Sequence, residues 1–160
     1  MILTLKGDKD MEKRNYGNDF NVGDVFTTGA ITVTETHLVN WACLTMDFYP
    51  LHMDKEYAAK TSFGERLVHG PLIFGLAVGL VGIAGFGGDS VIAWLGADNM
   101  KMVSPVKIND TIRVIVEVMD KRTTSNPKKG TQVWRYTVKN QRDESVMVFD
   151  YKMMFHMRLD

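Results

Sequence analysis

A carboxylate and an imidazole stand five positions apart in Asp47-Phe48-Tyr49-Pro50-Leu51-His52-Met53-Asp54, with a proline between them. Pro50 has no backbone N–H and biases Tyr49 toward an extended conformation, so Asp47 and His52 cannot share one regular helical turn. They can converge from either side of a bend, as a general acid–base pair requires. Further along, Val68-His69-Gly70-Pro71 reads as a helix start, where backbone N–H groups without intrahelical partners gather positive potential. Pro71 has no N–H to offer, so a donor role there falls on Gly70 or on residues deeper in the helix. Gly70 is expected to resist replacement on two counts: backbone angles closed to other residues, and a bare Cα that lets an oxygen approach its N–H. An acid–base pair beside such a donor suits proton chemistry on an activated carbonyl compound.

The elements that must carry these groups follow from the patterning. Residues Met1 to Val22 read as a polar lead-in, and residues 23–160 as one domain. Gly23-Asp24 turns the chain into a Thr- and β-branched-rich strand at Phe26–Val33. Thr34 is a fair N-cap for a helix over Glu35–Met46, with Leu38, Trp41, Ala42 and Thr45 at helical spacing. Asp47 beyond it opposes the helix dipole, which argues for a functional reason. Asp54 can cap a short helix to Lys60, with Tyr57 and Ala58 inward.

Leu67–Gly88 then runs twenty-two residues without a formal charge. A membrane span is disfavoured by His69 and Pro71 at its start and by the seven glycines it holds. The spacing predicts a fully buried helix whose Gly75, Gly79 and Gly82 stripe lets a sheet approach closely. Strand patterns follow at Val91–Leu95, Met100–Val103, Ile112–Met119, Gln132–Lys139 and Val146–Met157, with a basic loop over Lys121–Gly130 and a turn over Asn140–Ser145. The predicted class is α+β: an antiparallel sheet of five or six strands wrapped around one buried helix, the hot-dog fold. Such sheets commonly continue edge to edge in a homodimer or higher homo-oligomer.

Composition narrows the function classes. With 19 basic and 19 acidic side chains the formal net charge is zero, which argues against a nucleic-acid partner. The single cysteine, Cys43, excludes an intrachain disulfide and a cysteine-built zinc site, and its apolar neighbours place it in the core. The four histidines lack metal-ligand spacing, so no metal is expected, and His37 and His156 are assigned no chemistry. Met1–Lys13 mixes charges of both signs instead of carrying an apolar core, so a cytoplasmic, non-membrane protein is expected.

Asp47 to Asp54, then Tyr57-Ala58, then Val68-His69-Gly70, resembles the MaoC-like dehydratases, the family of R-specific enoyl-CoA hydratases. Ser104-Pro105-Val106 with Asn109-Asp110-Thr111 resembles that family's strand-turn signature, where glycine usually precedes the aspartate. The resemblance implies that Asp47 and His52 are the catalytic pair and that the Gly70 N–H polarises the thioester carbonyl. It implies hydration of trans-2-enoyl-CoA to (R)-3-hydroxyacyl-CoA, with an acyl-CoA ester as substrate and no separate cofactor. Tyr49, Ser62, His69 and Val78 are the expected substrate-binding positions, His69 chiefly as a support for the turn before the helix. Two of them depart from the family pattern: Tyr49 stands where asparagine is common, and Val78 where serine is. Lys101, Lys107, Arg122, Lys128 and Lys129 are candidate partners for CoA phosphates. The alternatives are a hot-dog thioesterase, or a non-catalytic acyl-CoA-binding or regulatory subunit.

Overall fold

A computed structural model describes residues 16–159. Most of the polar lead-in lies outside that range, but its last part is anchored. Gly17–Asp19 forms a 3-10 turn, and the fully buried Phe20 packs on Trp134, Phe26 and Phe155. Gln132 donates to the Gly17 carbonyl at 2.7 Å and accepts from the Trp134 indole at 2.8 Å, so its own buried amide is satisfied at both ends.

Five strands, β1 (Val25–Thr32), β2 (Val91–Met102), β3 (Thr111–Thr123), β4 (Lys129–Lys139) and β5 (Ser145–His156), form one antiparallel sheet in the order β1-β3-β4-β5-β2. The alternation expected in β3 holds: Ile112, Val114, Val116 and Val118 are fully buried. The two short strands expected at Val91–Leu95 and Met100–Val103 are instead one, β2. Its pairing with β5 shifts near Gly96 (φ 143°) and near Asn99 (φ 53°), and these irregularities break the period-two pattern without ending the strand. The basic loop is shorter than expected because β3 and β4 extend into it, with Arg122 opposite Thr131.

Among the described residues four α-helices accompany the sheet: α1 (Glu35–Thr45), α2 (Pro50–Met53), α3 (Lys55–Ala59) and α4 (Gly70–Ala84). In α1, the N-terminal cap is reciprocal. The Thr34 N–H donates to His37 Nδ1 at 3.0 Å, so His37 takes the place a glutamate usually fills. Leu38 and Ala42 are buried as the spacing predicts, whereas Cys43 is exposed and does not belong to the core. It sits one residue past the buried Ala42, off the inward face.

Helix α4 packs Leu72, Ile73, Ala77 and Val81 against the sheet, and Phe74 meets Phe149 at 4.9 Å. It is not buried all round, and its glycine stripe does not face the sheet. A Cβ at Gly79 or Gly82 would meet nothing within 4 Å, Gly75 looks toward Trp41 of α1, and Ile83 is 88% exposed. An uncharged helix therefore buries one face and leaves an apolar, glycine-lined face outward. Gly85 ends it in the left-handed conformation (φ 69°) that glycine adopts without strain. Among the described residues no helix is long and apolar enough to cross a membrane.

Candidate active site

The chain segments around the N-terminus of α4 are tied to one another before any side chain of interest is placed. Val68 N–H donates to the Val106 carbonyl at 2.8 Å and Leu67 N–H to the Leu51 carbonyl at 3.3 Å, so residues 67–68 are held between α2 and the strand-turn segment. Arg66 forks both oxygens of Glu35 on α1. Asp110 closes the turn at residues 107–110 by accepting from the Lys107 N–H. Asn109 there has φ 73°, which explains how asparagine replaces the glycine common at this place: it tolerates left-handed angles.

Asp47 and His52 converge as their spacing predicts, across the break before Pro50. Helix α1 stops at Met46, which adopts φ 62°, an angle methionine reaches only at a cost of about 1–2 kcal/mol. That turn sends Asp47 out of line with α1, and Pro50 then opens the four-residue α2 that carries His52. Ligand-type atoms of Asp47, His52 and His69 all lie within 4.8 Å of one another. One water spans such a separation with two bonds of about 2.8 Å each.

The hydrogen bonds assign the histidine tautomers. His52 Nδ1 lies 2.8 Å from the Leu67 carbonyl, which can only accept, so Nδ1 carries the proton and a neutral His52 keeps its lone pair on Nε2. His69 Nε2 lies 3.0 Å from the Asp47 carbonyl and is likewise a donor. The same nitrogen is 3.8 Å from Asp47 Oδ2, and the two imidazole rings stack at 3.9 Å between centroids with a 32° tilt. His69 is fully buried, and its Nδ1 has no partner among the described residues. An unsatisfied buried polar atom costs about 1–3 kcal/mol. Burial, above the other influences on it, pushes the His69 imidazole below its ordinary pKa and keeps it neutral. With His52 Nδ1 and His69 Nε2 donating to main-chain carbonyls, each ring keeps one lone-pair nitrogen, and a carboxylate beside such a neutral imidazole can take and return a proton.

Gly70 opens α4 with Pro71 behind it, and no protein acceptor is seen for its N–H among the described residues. The expectation about its angles is corrected: its φ is outside the left-handed region, and a Cβ would sit in ordinary contact, 3.6 Å from Met102 Sδ. Beside it a 360 Å3 cavity is lined by His52, Phe63, Gly70, Met102, Val103 and Pro105. Met102, at the end of edge strand β2, had no signal in the sequence. Tyr49 presents its ring edge-on to His52 at 6.1 Å, and its hydrogen bond to Tyr57 raises the Tyr57 phenol pKa. Asp54 caps α3 through the Tyr57 N–H, as expected, while Tyr57 itself faces solvent.

The remaining candidates separate from this cluster. Ser62 is exposed in the turn after α3 and is not part of the cavity lining. Val78 lies eight residues into α4, about 12 Å from Gly70 along the axis. There it lines a second, apolar cavity of 260 Å3 with Val81, Trp134, Tyr136 and Tyr151. Lys107 pairs with Glu65 and Arg122 with Asp120. Lys128 shares a cleft with Asp89, in the segment that follows the C-terminus of α4.

A family model described as MaoC like domain matches residues 19–140. The chain belongs to the MaoC-like dehydratase family, related to the R-specific enoyl-CoA hydratases. It is 35% identical over 137 residues to Protein MaoC of Klebsiella aerogenes, a match covering 81% of this chain and 40% of that protein. To the (R)-specific enoyl-CoA hydratase of Aeromonas caviae it is 38% identical over 78 residues, covering 49% of this chain and 56% of the other. The structure of a monoamine oxidase regulatory protein from Archaeoglobus superposes with a TM-score of 0.85 at 35% identity, covering 90% of this chain and 95% of that one. The MaoC-like chain thus spans 40% of the Klebsiella protein and 56% of the Aeromonas hydratase, less than two thirds of either.

Proposed function

We propose that residues 23–160 form one hot-dog domain that adds water reversibly across the double bond of a trans-2-enoyl-CoA, giving (R)-3-hydroxyacyl-CoA. The observation that carries this is the convergence of Asp47, His52 and His69 within 4.8 Å of one another, with His52 Nδ1 committed to the Leu67 carbonyl and its Nε2 left to take a proton. One water sits between Asp47 and His52. His52 Nε2 takes a proton from it as the oxygen attacks C3, and Asp47 accepts the other O–H and orients it. The resulting imidazolium returns its proton to C2, so water is consumed whole and both residues end as they began. The Gly70 N–H holds the thioester oxygen, which gains enolate character as C3 is attacked. Acid–base help of this kind contributes about 10²–10⁴-fold, and one such donor about 10²–10³-fold.

The CoA thioester is the substrate, and no further cofactor has a role. The cavity beside Gly70 receives the thioester end, with Met102 over it and the Tyr49 edge restricting motion of His52. Val78 shapes the more distant acyl cavity.

A homodimer completes the architecture. Edge strand β2 exposes Trp94, Leu95, Met100 and Met102, and α4 exposes its glycine face. Pairing β2 with a second copy covers that edge and closes the sheets over α4, with the Gly70 site beside the interface. A stable, active monomer in sedimentation would contradict this.

A panel of enoyl-CoA esters, followed by loss of the conjugated thioester absorbance, tests the reaction. Release of free thiol instead would identify a thioesterase. A second reading, a non-catalytic acyl-CoA-binding or regulatory subunit, draws on Tyr49 in the place of asparagine and on the regulatory name of the Archaeoglobus relative. Tight binding of CoA esters without turnover would favour it.

A further inference from the structure

We propose that His69 is the positioning residue of the acid–base pair, a buried imidazole that fixes the Asp47 main chain through its Nε2–H and backs the ring of His52. The kinetic part of the proposal rests on the hydration reading above.

His69 occupies the N-cap of α4, yet its side chain makes no capping hydrogen bond. Serine, threonine or aspartate would serve the helix better there. Its ring is turned away from the helix start instead, toward two residues far from it in sequence. One edge donates to Asp47, 22 positions away, at 3.0 Å. One face covers His52 at 3.9 Å. Asp47 follows the left-handed Met46, in a connection without helix or strand hydrogen bonds, so this one bond is what fixes its carbonyl. His52 is pinned at its other edge by the Leu67 carbonyl, and the His69 face restricts it to one plane.

A phenylalanine would keep a flat ring there without stranding a nitrogen, yet His69 Nδ1 is buried with no partner among the described residues. A polar group retained at such a cost beside a site is explained by the bond its other nitrogen makes. Its neutrality matters as well. When His52 becomes an imidazolium, a charged neighbour at stacking distance would oppose the proton transfer, and burial keeps His69 uncharged.

Two variants separate the two contacts. His69→Phe keeps a flat ring behind His52 and removes the donor to Asp47. His69→Gln keeps an N–H donor at similar reach and removes the ring. Thermal midpoints, kcat, KM and long-range 1H–15N spectra of histidine-labelled protein at pH 7 are measured for wild type and both variants. Wild type is expected to show His69 as the Nε2–H tautomer and His52 as the Nδ1–H tautomer. His69→Phe is expected to melt no lower than wild type while kcat falls about 10-fold or more and KM changes by less than about 3-fold. His69→Gln is expected to lose about as much kcat and to show His52 as a mixture of tautomers.

The proposal is overturned by His69→Phe turning over within about 2-fold of wild type, or by His69→Gln leaving His52 a single tautomer. Wild-type spectra showing His69 as Nδ1–H or charged overturn it even if neither variant folds. Should wild type hydrate no enoyl-CoA, the proposed reaction falls, and the spectra alone decide the positioning role.

Discussion

Replacing Gly70 by alanine should leave the fold intact and damage the reaction. The added Cβ would lie 3.6 Å from Met102 Sδ and 3.7 Å from its Cγ, ordinary contact distances, and the backbone angle is one that alanine adopts freely. Alanine in place of glycine within a helix gains up to about 1 kcal/mol. For a chain of this size that is roughly 2–4 °C in Tm, so the variant should melt at or slightly above wild type. If Gly70 holds the thioester oxygen as proposed, the methyl group crowds the approach to its N–H. Complete loss of such a donor costs about 10²–10³-fold in kcat. Partial displacement by one methyl should cost at least about 10-fold, which is about 1.4 kcal/mol of barrier. Charge gathers on the oxygen only during reaction, so kcat should fall by more than KM rises. Steady-state hydration kinetics alongside thermal denaturation check both halves. Gly70→Val should be worse, because its γ carbons reach the Met102 side chain. Ordinary turnover by Gly70→Val, or a Gly70→Ala variant that fails to fold, would refute the reasoning.

Asp47→Asn and His52→Ala should each lower kcat by at least about 10²-fold with the fold retained, and the double variant should be little worse than the worse single one, since both hold one water. Steady-state kinetics of the three proteins, with circular dichroism to confirm folding, measures this. Met46→Gly should stabilise the protein by about 1 kcal/mol by relieving a left-handed methionine. Met46 is 77% exposed, so little burial is lost, and urea denaturation reads the gain. Because burial lowers the His69 pKa, the unfolded chain takes up a proton near about pH 6.5 that the native chain refuses. Stability from this source is complete above that pH and declines as pH falls below it, toward the lowered native value. Denaturation midpoints between pH 5 and 8 should show that decline, and His69→Phe should flatten it.

The convergence of Asp47 and His52 was legible because Pro50 dictates the break that separates them. Strand β3 was legible because its four buried β-branched residues alternate without interruption. The short cap at Asp54 was equally local. What the sequence concealed depends on tertiary placement. Hydropathy marks α4 as apolar but cannot say which face meets the sheet, and the glycine stripe, expected inward, faces outward. Gly96 and Asn99 punctuate β2 like a turn, while the ladder with β5 absorbs both as irregularities. Cys43 has apolar neighbours in sequence, but its helical phase turns it outward. His69 was visible beside Gly70, yet nothing in its spacing discloses the stack on His52. That contact exists because residues 67–68 are clamped between α2 and the Val106 segment.

The most direct measurement incubates the protein with a trans-2-enoyl-CoA and follows the thioester by mass spectrometry, with R- and S-specific dehydrogenases reading the product configuration. The expected product is heavier by one water, R-configured, formed by wild type and almost lost with Asp47→Asn. An unchanged ester, free CoA, an S-configured product, or undiminished hydration by Asp47→Asn would contradict that expectation.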